Sequence, residues 1–491
     1  MKRLKILILF TLFACTTFAQ HSEEEKYVHE TDSLALLQIK AWQGLKFGLL
    51  MHWGPYSQWG IVESWSICPE EYGWCERKMG KNPGNYFAYK AEYENLKATF
   101  NPVRFNPEQW ALAAKNAGMR YVVFTTKHHD GFSMFDSKLT DYKITDSSCA
   151  FANHPKKNIT LEIFNAFRNQ GLWTGAYFSK PDWHHPNYWD SMYPPRDRNV
   201  NYEPESNPEK WNKYVDFTHG QIFELLKDYG KVNILWLDGG WVSKKSKIEI
   251  ESWYDEQFKE SKNGYVFHRN INQDIRMDEL VAKARVMQPG LIVVDRAVYG
   301  KNQNYLTPEN RVPAKELPYP WESCIISGGG WAHTPNAKYM SGREGIHLLV
   351  NIVSKGGNLL LNIAPTPEGE WQQGAYQLLE AYGEWMKVNE SAIYNTNTLA
   401  PYKENQVCFT QDSIGRTNFI YLQDKNETSI PSQIRIESHC PKSGSTVTLL
   451  GSSQKLKWKK NGNGCIIYIP NSLKNKMPCK YAWVFRAEAI K

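Results

Sequence analysis

The sequence predicts an α/β protein: a (β/α)8 TIM-like barrel followed by a C-terminal antiparallel β-sandwich. Short apolar runs alternate with longer helical patterns, which is typical of parallel βα units. Polar and titratable residues follow nearly every run, as expected where barrel strands end. Past residue 395, short β-rich runs are separated by turn residues. We therefore assign residues 1–20 to a signal peptide, 21–394 to the barrel and 395–491 to the sandwich.

The predicted barrel strands are short runs packed with large apolar residues, as in a sheet buried on both faces. Seven runs are strong, and the poorly patterned segments leave room for an eighth. The seven are Lys46–Gly54, Tyr121–Lys127, Trp173–Ser179, Val232–Asp238, Leu291–Arg296, Trp321–Ile326 and Asn358–Pro365.

Helices are predicted between these runs. Asn106-Pro107-Glu108 opens one of them, with asparagine at the cap and proline in the first turn. Four others are predicted at 159–170, 208–229, 341–356 and 370–389, and an insertion rich in Asp, Glu, Asn and Lys covers 249–283. In the C-terminal part, Asn461-Gly462-Asn463-Gly464 is a hairpin signal.

The N-terminus has the pattern of an export signal. Met1–Lys5 is basic, Ile6–Phe13 is apolar, and Thr17-Phe18-Ala19 fits a cleavage site. The apolar run is too short to span a bilayer, so we expect a periplasmic or extracellular protein with no transmembrane span. A lipoprotein with Cys15 as the lipidated residue is the alternative. Export would permit disulfides, but the sequence determines neither their pairing nor the oligomeric state.

Composition narrows the class of ligand. The formal net charge is +7, but the basic residues are scattered, and Lys455–Lys460 alternates lysine with apolar residues like a strand with one wet face. Nucleic acid is therefore not an expected partner. No phosphate-binding glycine motif follows a strand, so we expect no nucleotide cofactor, and indeed no cofactor at all. Aromatic residues make up 14% of the chain, which suits binding of sugar rings.

The predicted strand ends bring one set of polar and aromatic side chains together. They are His52, His128, His129, Tyr177, Asp182, Trp183, Asp238, Arg296 and Glu322, with Glu309 from the loop after the Arg296 strand. A metal hydrolase is disfavoured, because neighbouring strand residues such as His128 and His129 should face opposite ways and no HExxH motif occurs. No GxSxG motif supports a serine triad. Glycoside hydrolysis needs two carboxyl groups, which Asp238 with Glu309 or Glu322 supplies.

An ordered set of motifs resembles glycoside hydrolase family 29, the α-L-fucosidases. The motifs are His52-Trp53-Gly54, Glu63-Ser64-Trp65, Lys127-His128-His129-Asp130-Gly131-Phe132, Trp236-Leu237-Asp238-Gly239, Asp295-Arg296 and Asn358-Leu359-Leu360-Leu361-Asn362. They cover residues 30 to 395, and the β-rich tail resembles the C-terminal sandwich of that family.

The resemblance implies a retaining enzyme with Asp238 as nucleophile. It also implies fucose contacts from His52, Glu63, Trp65, His128, His129, Tyr177 and Arg296. We add Trp183 as a further aromatic surface for the sugar. The alternative for Trp65 and Trp183 is packing in the core without contact to a ligand. The acid/base is Glu309 by first choice, because Thr307-Pro308-Glu309 resembles the subgroup acting on α-1,3/1,4 branches. Glu322 is the second choice.

The expected activity is therefore exo-hydrolysis of terminal α-linked L-fucose from oligosaccharides or glycoconjugates, without a metal. Two alternatives remain from the sequence. One is a secreted fucose-binding protein on a barrel that has lost catalysis. The other is a related retaining glycosidase acting on galactosides, because L-fucose and galactose share most of their hydroxyl stereochemistry.

Overall fold

A computed structural model describes residues 27–474, 476–488 and 490 of the chain. The predicted signal peptide and Cys15 lie outside these residues. Across the described ranges, no helix is both long enough and apolar enough to span a membrane.

The barrel strands are parallel, as predicted. In the described chain they are β1 Phe47–Met51, β2 Tyr121–Lys127, β3 Trp173–Ser179, β4 Ile234–Asp238, β5 Ile292–Asp295, β6 Glu322–Ile326 and β7 Asn358–Asn362. Their order across the sheet is β5-β4-β3-β2-β1-β7-β6. Nearly all of their residues are buried, which explains why each strand reads as an unbroken apolar run instead of an alternating one.

An irregular segment fills the gap between β5 and β6. Gln303 bridges Val294 of β5, while Leu306 and Glu309 bridge Trp321 and Cys324 beside and within β6. This segment takes the place of the eighth strand that the sequence left unassigned. It closes the ring and brings Glu309 to the same end of the barrel as the other strand ends.

Helices occur between most of these strands, which confirms the predicted alternation. They are α1 Ser33–Leu45, α2 Tyr86–Glu94, α3 Pro107–Asn116, α4 Ile159–Asn169, α5 Pro208–Asp228, α6 Lys247–Glu260, α7 Met277–Met287, α8 Gly342–Ser354 and α9 Gln373–Asn389. Asn106 caps α3 by accepting a hydrogen bond from the backbone N–H of Gln109 at 3.1 Å, and Pro107 is its first residue. The predicted insertion contains most of α6 and most of α7.

The C-terminal part is an antiparallel sheet, as predicted. Its strands are β8 Asn397–Glu404, β9 Val407–Gln411, β10 Thr417–Leu422, β11 Gln433–Ile436, β12 Val447–Leu449, β13 Lys455–Asn461, β14 Gly464–Tyr468 and β15 Ala482–Ala487. Strands near both ends of this sheet, such as β9 and β11, contribute to one apolar core. Asn461 pairs with Gly464, which confirms the hairpin. One short helix, α10 Asn471–Lys474, was not predicted.

Candidate active site

Asp238 is the last residue of β4, and its carboxylate is held from two sides. The Tyr177 hydroxyl donates to Oδ2 at 2.7 Å, and Nη1 of Arg296 donates to Oδ1 at 3.2 Å. Gly239 follows with a φ of +83°, and a Cβ there would lie 2.3 Å from Cδ of Pro181. The turn after β4 therefore requires glycine, and this turn places Asp238 at the mouth of the barrel.

The surroundings of Asp238 favour its ionised form. Burial alone would raise the pKa of this carboxyl group, but the Arg296 charge, the neighbouring His129 and the Tyr177 hydrogen bond together bring the pKa well below its usual range. Asp238 is consequently an anion throughout the neutral range. A charged carboxylate with fixed oxygens is what a nucleophile at a sugar carbon requires.

Glu309 lies across the same guanidinium. Nη2 of Arg296 donates to Oε2 of Glu309, and Nε1 of Trp331 donates to Oε1 at 3.2 Å. The Glu309 side chain is 41% exposed, whereas that of Asp238 is 16% exposed. One carboxyl group therefore lies inside the site and the other lies at its entrance, with Arg296 between them.

A cavity of about 200 Å³ lies between these groups. Its deep walls are buried side chains and its entrance is formed by partly exposed ones. The predicted residues on its walls are His52, Glu63, Trp65, His128, His129, Tyr177, Asp238, Arg296 and Glu309, joined by Leu50, Arg198, Trp236, Trp241, Cys324 and Trp331. The sequence thus predicted most of the polar lining.

The hydrogen-bond network fixes the tautomer of His52. Nδ2 of Asn362 donates to the Trp331 carbonyl at 2.8 Å, so Oδ1 of Asn362 is the atom that accepts from Nδ1 of His52 at 2.9 Å. Burial lowers the pKa of His52 to about 4, so the ring is neutral. Its Nε2 then carries no proton and can accept a hydrogen bond from a hydroxyl group.

His128 and His129 both face the cavity, so the prediction that they point to opposite faces is wrong. β2 ends at Lys127, and the alternation of strand side chains does not extend into the loop that carries the two histidines. One ligand atom from each histidine and an oxygen of Asp238 lie within 4.8 Å of one another, an arrangement that could hold a metal ion. The Arg296 charge beside Asp238 opposes a cation there.

Both histidines are neutral, because burial lowers the pKa of His129 to about 3 and that of His128 well below its ordinary value. Nδ1 of His128 lies 2.6 Å from the Ser64 hydroxyl. Nε2 of His129 is 3.9 Å from Oδ2 of Asp238, and its buried Nδ1 has no hydrogen-bond partner among the described residues. These rings can therefore exchange hydrogen bonds with a polar ligand.

Glu63 is a buried carboxyl group on the wall of the cavity. Its Oε1 accepts a hydrogen bond from the backbone N–H of Ala332 at 2.8 Å. Burial, with the nearby charges of Glu309 and Asp238, raises the pKa of Glu63 to about 8. Glu63 is protonated at neutral pH and can donate a hydrogen bond to a ligand.

Arg198 and Trp241 at the cavity wall were not predicted as site residues. The Arg198 guanidinium lies 4.8 Å from the ring centre of Trp65 and 5.2 Å from that of Trp241, and its Nε donates to Oε1 of Glu70 at 2.8 Å. Arg198 lies in the long loop between β3 and α5, whose dense Trp and Tyr content was its only signal, and Trp241 lies in the short loop between β4 and α6. No periodic pattern marks either residue.

The structure leaves two predicted site residues away from the cavity. Glu322 is the first residue of β6 and therefore lies at the opposite end of the strand from the site; its Oε2 accepts a hydrogen bond from the Tyr121 hydroxyl at 2.5 Å. Trp183 is fully buried behind Trp65 and His129, with its Nε1 donating to the Arg198 carbonyl. Asp182, also considered from its position, forms a buried ion pair with Lys127 at 3.1 Å.

Comparison with known proteins shows similarity to α-L-fucosidases along most of the chain. The family model described as alpha-L-fucosidase matches residues 14–391, and the model of the alpha-L-fucosidase C-terminal domain matches residues 423–488. An alpha-L-fucosidase of Branchiostoma floridae is 26% identical, with 99% of each chain covered. The plasma alpha-L-fucosidase of Homo sapiens is 28% identical, covering 92% of this chain and 90% of the relative.

Solved structures give the same result. Alpha-L-fucosidase isoenzyme 1 from Paenibacillus thiaminolyticus superposes with a TM-score of 0.70 at 27% identity, covering 94% of this chain and 100% of the other. The Thermotoga maritima alpha-fucosidase, solved in complex with a mechanism based inhibitor, has a TM-score of 0.68 at 25% identity and the same coverage. The chain belongs to the α-L-fucosidase family, and it is a glycoside hydrolase of the GH29 type.

Proposed function

We propose that this α-L-fucosidase is a retaining exo-enzyme that works by double displacement, with Asp238 as nucleophile and Glu309 as acid/base. The observation that carries the proposal is that one guanidinium, Arg296, contacts both carboxyl groups at the mouth of a single cavity. Bridging by one side chain is compatible with the separation of about 5 to 5.5 Å that retention requires. A cavity of about 200 Å³ suits one terminal sugar and not the interior of a chain.

In the first step, Oδ of Asp238 attacks the anomeric carbon while Glu309, in its protonated form, donates to the departing glycosidic oxygen. In the second step, Glu309 takes a proton from water while the water oxygen attacks the anomeric carbon. The bond from that carbon to Asp238 breaks, which releases fucose and restores the carboxylate. Tyr177 and Arg296 hold the two oxygens of the nucleophile, so the carboxylate needs little reorganisation before attack.

Besides the charged Arg296, recognition of the sugar uses neutral groups. His52 offers an unprotonated Nε2, Glu63 offers an acidic proton, and His128 and His129 supply further ring nitrogens, so hydroxyl groups of fucose can both donate and accept. Trp65 offers an apolar face to the C5 methyl group. A cavity wall with mixed donors and acceptors recognises several hydroxyl groups at once, because each hydroxyl needs a partner when it leaves water.

Azide rescue tests the two roles separately on an aryl α-L-fucoside. Asp238→Gly should lose activity by several orders of magnitude, and azide should restore turnover with β-L-fucosyl azide as product, because azide then replaces the nucleophile. Azide should also restore turnover of Glu309→Ala, but with α-L-fucosyl azide as product, because azide then attacks the glycosyl-enzyme. Glu322→Gln serves as the control that needs no rescue. Unchanged activity of Asp238→Gly, or the same azide anomer from both variants, would refute the assignment.

We also propose a preference for fucose on α-1,3/1,4 branches. Two sequence features support it: Glu309 stands in Thr307-Pro308-Glu309, and the nucleophile motif reads Trp236-Leu237-Asp238-Gly239. The entrance position of Glu309 is compatible with a branched leaving group. Released fucose should be measured on α-1,2, α-1,3, α-1,4 and α-1,6 substrates. Faster release from α-1,2 or α-1,6 linkages would overturn the preference.

Export remains part of the proposal, with fucosylated oligosaccharides or glycoconjugates outside the cytoplasm as substrates. It depends on the N-terminal pattern of residues 1–20 alone. Mass spectrometry of the mature N-terminus distinguishes a chain starting at Gln20 from a lipidated chain starting at Cys15. A full-length N-terminus beginning at Met1 would overturn export.

A further inference from the structure

The loop after β6 carries Trp331 to the acid/base candidate. Nε1 of Trp331 donates a hydrogen bond to Oε1 of Glu309 at 3.2 Å, and the indole ring lies 5.3 Å from the His52 ring. Trp331 is partly exposed at the cavity entrance. Its ring therefore touches both the acid/base and a predicted fucose contact.

Two side chains anchor the peptide unit that joins Trp331 to Ala332. Nδ2 of Asn362 donates to the carbonyl of Trp331 at 2.8 Å, and the N–H of Ala332 donates to Oε1 of Glu63 at 2.8 Å. Asn362 in turn accepts a hydrogen bond from His52. Of the predicted fucose contacts, Glu63 thus binds the loop directly and His52 binds it through Asn362.

The glycines of the loop restrict its path. A Cβ at Gly328 would lie 2.8 Å from the Cα of Tyr339, and Gly329 has a φ of +71°. The close backbone approach at Gly328 and the left-handed conformation at Gly329 both favour glycine. The position of Trp331 is therefore set by the loop as well as by its own contacts.

We propose that Trp331 is a positioning residue that keeps Glu309 aimed at the glycosidic oxygen. The proposal rests on the acid/base role of Glu309. In the structure, both oxygens of Glu309 accept hydrogen bonds, one from Arg296 and one from Trp331. One of these contacts must give way before Glu309 can donate a proton to a leaving oxygen.

Arg296 is the contact that gives way. Its guanidinium also binds Oδ1 of Asp238 at 3.2 Å and the Thr307 hydroxyl at 3.2 Å, so it keeps partners when Glu309 turns. Trp331 Nε1 has Glu309 as its hydrogen-bond partner, and the anchored backbone fixes the point from which the ring reaches Glu309. Once the sugar enters, Trp331 is the donor that keeps Glu309 in place.

The test compares leaving groups in the full-length enzyme. Trp331→Phe keeps an aromatic ring, though a smaller one, and removes the N–H donor. Its kcat/KM should fall about ten-fold or more on a fucosyl disaccharide, whose leaving oxygen needs protonation. On 2,4-dinitrophenyl α-L-fucoside the loss should be less than about three-fold, because 2,4-dinitrophenolate leaves without being protonated. The matched control is Trp241→Phe, whose Nε1 donates to Tyr188 and to the Arg198 carbonyl. Any loss in that variant should be equal for both substrates.

Equal losses on both substrates for Trp331→Phe would overturn the positioning role, as would no loss on either. Thermal melting of each variant reports whether an equal loss reflects unfolding. Glu309→Ala on the same substrate pair separates the two proposals. If it shows no dependence on the leaving group, the acid/base assignment fails. If it shows strong dependence while Trp331→Phe shows none, only the present inference fails.

Discussion

Glu322 provides a test of the barrel interior that is independent of catalysis. The side chain is fully buried, the Tyr121 hydroxyl donates to it at 2.5 Å, and Tyr305 and Trp236 lie beside it. Burial raises the pKa of Glu322 from 4.5 to about 7, with the hydrogen bonds limiting the rise. The folded protein therefore holds this proton more tightly than the unfolded chain does.

The change in stability with pH follows from the linkage between proton binding at Glu322 and folding. Between pH 4.5 and pH 7 the folded state binds more protons at this position than the unfolded state, so its contribution makes the folded protein less stable as pH rises. Each pH unit of pKa difference corresponds to about 1.4 kcal/mol. Compared with a group that stays protonated, Glu322 then lowers the free energy of unfolding by about 1 kcal/mol at pH 5 and by about 3 kcal/mol at pH 8.

Glu322→Gln removes this ionisation and keeps an oxygen for Tyr121. The free energy of unfolding should be measured by urea titration for both proteins at pH 5 and pH 8. The variant should gain about 2 kcal/mol relative to the native protein between the two pH values, while kcat/KM stays within about three-fold. A stability difference that is the same at both pH values would refute the argument, and a loss of activity rescued by azide would restore Glu322 as an acid/base candidate.

Two further predictions concern the cavity wall. Tyr177→Phe removes the 2.7 Å hydrogen bond to Asp238, so kcat/KM should fall about ten-fold or more. The acidic limb of the kcat/KM pH profile should move to higher pH, because the bond stabilises the ionised carboxylate. An acidic limb that does not move would contradict a role for this hydrogen bond. Glu63→Gln keeps a neutral donor where the native pKa is about 8, so the inhibition constant for L-fucose should rise above pH 8 in the native enzyme and stay flat in the variant. Parallel pH dependence in both proteins would show that Glu63 is not the titrating group.

The regular elements could be predicted from the sequence because their signals are local. Asn106 and Pro107 mark the start of α3 by capping and by the fixed φ of proline, and the turn at Gly462 marks the β13–β14 hairpin. Asp238 could be placed because a buried strand ending in a carboxylate followed by glycine indicates the site end of a barrel.

Other features depend on contacts between distant segments. The segment from Gln303 to Glu309 occupies a strand position through isolated bridges, without a strand pattern of its own. Trp331 reaches Glu309 because Asn362 and Glu63 hold its loop, and nothing in the local sequence indicates those bonds. Glu322 was predicted among the strand-end residues although it stands at the start of its run, Trp321–Ile326, and β6 does begin at Glu322.

The stereochemistry of hydrolysis tests the central claim most directly. Proton NMR should follow 4-nitrophenyl α-L-fucoside in the first minutes of turnover, before mutarotation mixes the anomers. Double displacement through Asp238 predicts that α-L-fucose appears first and that the β anomer grows only later. Initial formation of β-L-fucose would show single displacement by water, and Asp238 could then not be a nucleophile that forms a glycosyl-enzyme.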